Sequence, residues 1–91
     1  MESLQRTAIR AIQGLLETQP TTAAKVAFAW HIAAGPALGR ACQTHWLADG
    51  TLRVRARDAA WLRELRHARP ILAERLAQLL GRDVVRKLIL E

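Results

Sequence analysis

The 91-residue chain contains one cysteine, no tyrosine, one phenylalanine and three tryptophans. With Cys42 alone, no disulfide can close within the chain, and a reducing, cytoplasmic setting is expected. No apolar run approaches the roughly 18 residues that span a bilayer, and the opening MESLQRTAIR has no apolar segment followed by a processing site. The P-loop pattern and GxGxxG are both missing, so an ATPase or dinucleotide enzyme would lack its phosphate cradle. Acidic residues are scarce: 8 stand against 14 basic ones, leaving a net charge of +6.

The surplus is uneven. Residues 1–50 carry four basic and three acidic residues, whereas 51–91 carry ten and five, which puts +5 of the charge in the second part. Twelve of the fourteen basic residues are arginine, whose planar fork suits bidentate contact with oxyanions, although genome composition produces the same bias. The sharpest local pattern is TLRVRAR at 51–57, where Leu52, Val54 and Ala56 alternate with Arg53, Arg55 and Arg57. One strand would thus give an apolar face to the core and a row of guanidinium groups to solvent. At about 3.3 Å per residue, alternate arginines stand about 6.6 Å apart, close to two rises of a nucleic-acid strand. Polyanion contact and a merely solvated, charge-protected strand both fit this pattern.

Apolar spacing predicts an amphipathic helix over 3–17, weakened at Gly14 and ended near Pro20. Thr21 or Thr22 can cap a second, largely buried helix over 23–34. Gly35-Pro36 stops or kinks it, 37–41 resumes as a further turn, and Gly35 and Gly39, four apart, allow a neighbour to approach closely. Strands over 43–48 and 51–57 would be joined by Asp49-Gly50 in a two-residue type I′ turn. Asp58 caps a third helix, Pro70 breaks it and opens a fourth, Gly81 closes that in a left-handed conformation, and 84–90 reads as the last strand. The expected class is α+β: one domain over 1–91, residues 1–22 forming an N-terminal helix and its connection, with helices on one face of a three-stranded sheet.

No constellation supports catalysis. Cys42-x-x-His45, even with His31 and His67, falls short of a structural zinc set, and residues three apart on a strand face opposite sides, so no metal and no cofactor is expected. Cys42 with a histidine has no evident orienting group, while Asp49 and Asp58 have turn and cap duties and Glu64 and Glu74 are explained by solubility. Trp30 and Trp61 read as core anchors, whereas Trp46 fits either the core or an exposed contact. Arg63, Arg66 and Arg69, three apart in succession, would widen a basic field, with Arg40, Arg82, Arg86 and Lys87 at its edges.

Trp30 with Gly35, the run Asp49-Gly50-Thr51-Leu52-Arg53-Val54, and Trp61 with Leu65, followed by RLAQLLG and VVRKLIL, resemble the DUF721 family of DciA-like proteins over about residues 26–90. The resemblance implies a KH-like domain, without an ATP site, that engages the bacterial replicative helicase and binds nucleic acid. It makes Trp30, Gly35, Asp49, Gly50, Leu52, Val54 and Trp61 architectural. The GxxG loop of a nucleic-acid-clamping KH domain is missing, so binding would rest on charge and surface shape. Glu91 follows directly on the last expected strand, without the basic extension found in many members, so weak binding or the need for another partner is expected.

The resulting expectation is a non-enzymatic replication accessory module that meets the replicative helicase and binds single-stranded or forked DNA through phosphates. The contact residues would be Arg53, Arg55, Arg57, Arg63 and Arg66, with Arg40, Arg82, Arg86, Lys87 and Trp46 as edge contacts. A protein-interaction domain without direct DNA binding, or an RNA-binding KH-like module, are the alternatives.

Overall fold

The computed structural model describes residues 10–15 and 20–91. Residues 10–15 are helical and Ile12 packs on the core, while the rest of the helix expected over 3–17 lies outside the described residues. The elements that follow are α1 (Ala23–Ala41), β1 (Cys42–Trp46), β2 (Thr51–Ala56), α2 (Ala59–Leu80) and β3 (Lys87–Leu90). The sheet order is β1-β2-β3, with β1 antiparallel and β3 parallel to the central strand. Both helices cover one face, giving the α+β layering expected from the apolar alternation.

Thr22 caps α1: its hydroxyl accepts from the Lys25 N–H at 3.1 Å, satisfying a donor that the first turn leaves free. Val26, Ala29, Trp30 and Ala33 form its buried stripe. Gly35 then leaves helical geometry at φ 83° and ψ 172°, a conformation that penalises a Cβ, and Pro36 restarts the helix. Arg75 donates from α2 to the Ala33 carbonyl at 3.0 Å, beside this kink. The close approach at Gly39 comes from the same helix: a Cβ there would stand 2.7 Å from His31 Nδ1.

The hairpin differs from the two-residue turn that Asp49-Gly50 suggests. The Leu47 carbonyl accepts from the Gly50 N–H at 3.0 Å, and the Leu47 N–H donates to the Thr51 carbonyl at 2.8 Å, which makes a three-residue loop. Only Gly50 has positive φ, 92°, whereas a type I′ turn needs it at both central positions. Asp49 serves through its side chain, accepting from the Thr51 N–H at 2.9 Å. The Thr51 hydroxyl, and after it that backbone bond, hold its carboxyl below the ordinary value. β1 therefore spans 42–46 rather than 43–48, and β2 stops at Ala56, one residue before Arg57.

Pro70 does not divide α2. The 22-residue helix, capped by Asp58 accepting from the Trp61 N–H at 3.0 Å, runs through it unbroken. Leu65 before the proline and Leu72, Leu76 and Leu79 after it bury on one stripe, so a break would take one set off the core. Pro70 is itself exposed, and water can meet the carbonyl left without its helical donor. Pro70→Ala restores that bond and should raise stability by about 1–3 kcal/mol, read from the urea midpoint at unchanged m-value. At the far end Gly81 ends α2 at φ 93° and ψ 155°, a positive φ that side-chain-bearing residues rarely adopt though with a ψ outside the left-handed helical range, its N–H donating to the Ala77 carbonyl at 2.9 Å. The last strand begins at Lys87 instead of residue 84 because 82–84 form a turn.

Trp30, Leu52, Val54 and Leu65 are sealed from solvent, so the core lies between the covered sheet face and the two helices. Among the described residues, no helix is long and apolar enough to cross a membrane.

Candidate nucleic-acid interface

Strand alternation sorts the sheet into two faces. Leu52 and Val54 point to the helices and are fully buried, while Arg53 and Arg55 point the other way and are exposed. The register sets Gln43 opposite Arg55 and His45 opposite Arg53 on one side, and Ile89 beside Arg53 and Lys87 beside Thr51 on the other. The open face thus holds Gln43, His45, Arg53, Arg55, Lys87, Ile89 and, one residue beyond β3, Glu91. An open groove on it is lined by Gln43, Thr44, His45, Arg53, Arg55 and Glu91.

Arg53 already holds an oxyanion. Its Nε donates to Glu91 Oε1 at 3.0 Å and its second terminal nitrogen to Oε2 at 3.1 Å, the fork-to-fork geometry a guanidinium also offers to phosphate. The backbone fixes this placement, because the Glu91 N–H donates to the Val54 carbonyl at 2.9 Å and its carbonyl accepts from the Ala56 N–H at 2.6 Å. The hydrogen bonds from Arg53, with Arg53 and Arg55 nearby in charge, hold the Glu91 carboxyl below its ordinary value, and the same bond raises the Arg53 guanidinium. A depressed carboxyl of this kind keeps the pair intact at neutral pH; protonation on acidification through the lowered value releases Arg53.

Arg55 is exposed beside this pair. Arg57, past the end of β2, turns to the corner with α2, where its guanidinium carbon lies 5.9 Å from the centre of the Trp61 ring. The row of three arginines is therefore two on the face and one at the corner. Arg63 and Arg66 are exposed on α2, in the helical layer rather than in the plane of Arg53 and Arg55. Arg69 is committed to structure, donating to the Leu88 carbonyl at 2.8 Å at the outer edge of β3. Sequence spacing could not separate it from Arg66, since both lie on one flank of the helix and only the path of β3 distinguishes them.

Of the edge residues, Lys87 stands on the open face, and Arg40 is exposed in the last turn of α1. Arg82 lies 3.9 Å from Glu74, and Arg86 donates to the Asp83 carbonyl at 3.3 Å while its stem packs where a Gly50 Cβ would be. Trp46 turns to the covered face and packs on the core with its indole N–H enclosed, so its ring is withdrawn from the open face. Burial pushes the Cys42 thiol up, against a smaller opposing effect of Arg57, which disfavours a thiolate. No group of three or more His, Cys, Asp or Glu among the described residues is placed to hold a metal.

The family model described as Dna[CI] antecedent, DciA matches residues 3–90, nearly the whole chain. The chain belongs to the DciA family. DciA membership agrees with the order helix, hairpin, helix, strand seen here and points to an accessory role in replication. No curated protein and no solved structure matches this DciA domain.

Proposed function

We propose that this DciA-family domain is a non-enzymatic replication accessory module that lays the phosphates of single-stranded or forked DNA across its open sheet face, on Arg55 and Arg53, and meets the replicative helicase through another surface. The observation that carries this reading is the bidentate grip of Arg53 on a carboxylate, on a face that keeps Arg55 and Lys87 exposed beside it. A backbone rounding the corner at Arg57 would continue toward Arg63 and Arg66 on α2, with Arg40, Arg82 and Arg86 as edge contacts. Such contacts read charge, so they discriminate poorly among base sequences and weaken steeply with salt.

Fluorescence anisotropy of labelled single-stranded and forked DNA at two salt concentrations tests the reading: binding should be measurable at low salt and fall at high salt. Equal, negligible binding in both would reject it. Glu91→Gln should tighten single-stranded binding by about 3–10-fold at low salt and steepen the log–log salt slope by about 0.7, one additional phosphate. A second reading rests on the same pair. Glu91 on Arg53 is equally a model for an acidic side chain of a partner protein, and a helicase pull-down that survives where DNA binding is undetectable would favour that reading.

A further inference from the structure

The parity of the ladder shows which backbone groups of β1 are spent. Leu47 donates to Thr51 and the Ala41 carbonyl accepts from the Arg57 N–H at 2.9 Å, so odd-numbered residues along β1 exchange their hydrogen bonds with β2. The N–H and C=O groups of Thr44 and Trp46 therefore point away from β2, to the outside of the sheet. Among the described residues nothing pairs with them. The opposite edge is treated differently: Arg69 reaches across to cap the outward Leu88 carbonyl of β3.

Natural sheets guard open edges with charge, proline or bulges. The sequence of β1, CQTHW, has no lysine, arginine, carboxylate or proline, and its pairing with β2 is regular over five residues. We infer that the free edge of β1 accepts an extended segment of a partner protein as a fourth strand, and that this segment carries acidic side chains at alternate positions. Charge complementarity selects that occupant. A strand added at about 4.8 Å from β1 would set one row of its side chains beside Gln43 and His45, within reach of the long arms of Arg55 and Arg53 on the next strand. Its other row would fall beside Thr44 and the half-buried Trp46, where apolar residues extend the core. A second copy of this chain is disfavoured at the same edge by its net charge of +6.

The backbone ladder is separable from the nucleic-acid reading, because its donors and acceptors are groups of β1 that phosphate contact on the open face does not use, whereas the acidic row would share Arg53 and Arg55 with it. The probe is a blocked ten-residue peptide of alternating valine and glutamate, titrated into the isotopically labelled chain. Amide exchange at Thr44 and Trp46 should slow on saturation, while that at Gln43 and His45, already bonded to β2, should change little. N-methylation of alternate peptide amides, or lysine in place of glutamate, should each weaken binding at least about tenfold. Thr44→Pro removes an edge donor at a position where proline is tolerated, and should abolish peptide binding. Should that variant not fold, the N-methyl peptide makes the same test on the unaltered chain. Unchanged exchange at Thr44 and Trp46, or full binding by the N-methyl peptide, overturns the fourth strand. Equal binding of the lysine peptide overturns its acidic character. Protection of the same amides by single-stranded DNA, or by a dimer in sedimentation, assigns the edge to another occupant and overturns the proposal.

Discussion

Replacing Arg53 and Arg55 together by glutamate should lower single-stranded DNA affinity by about 100-fold at low salt, the loss of two cationic contacts compounded by two new repulsions. Both side chains are exposed and neither contributes to the core, so far-UV circular dichroism and the urea midpoint should stay near those of the parent chain. Among the described residues the hydrogen-bonded interaction forfeited is the Arg53–Glu91 pair, whose side chains are 47% and 40% exposed, and a pair so wet contributes little to stability. The salt dependence separates specific from diffuse effects: the log–log slope should flatten by about 1.4 if two phosphates are held there on a single strand. An unchanged slope and affinity would remove these two arginines from the interface. Loss of helicase capture by the same variant, where the parent binds no DNA, would move the site to protein recognition.

Trp30→Ala should be the most damaging single change to the fold, at about 3–5 kcal/mol, since it empties the largest fully buried side chain of the domain. A domain of this size has a total stability on the order of 5–14 kcal/mol, so much of that reserve disappears in one substitution. Urea unfolding followed by circular dichroism gives the direct reading. Trp30→Phe discriminates between volume and polarity as the source. Among the described residues the buried indole N–H of Trp30 meets no acceptor, a burden of about 1–3 kcal/mol that phenylalanine lacks, so the milder variant should lose well under half as much as alanine. Equal losses for the two would show that the enclosed N–H carries no penalty.

The alternation at 51–57 and the caps Thr22 and Asp58 were legible because each follows from local chemistry: pleat period for the first, an oxygen placed before free N–H groups for the others. The kink at Gly35-Pro36 was legible for the same reason. Pro70 misled because the propensity of one residue says nothing about the four leucines that hold both sides of it on one core. The Asp49-Gly50 pair announced a hairpin, yet the loop length was set by where Leu47 and Thr51 meet. On the open face, Arg53 and Arg55 could be placed from sequence, but Glu91 could not. Its carboxylate reaches Arg53 only because β3 runs parallel to β2, a pairing 38 residues apart with no local signature. The parting of Arg69 from Arg66 and the enclosure of Trp46 have that same long-range origin.

The central strand has one neighbour joined by a three-residue loop and another that arrives only after all of α2. Loop-closure entropy separates these events in time, with hairpin closure in microseconds and the distant pairing later. An early chain would display two unmasked guanidiniums on a ribbon, and the final docking step would bring both the carboxylate that quiets Arg53 and the strand whose outer carbonyl Arg69 caps. Completion of the sheet and neutralisation of Arg53 are one event.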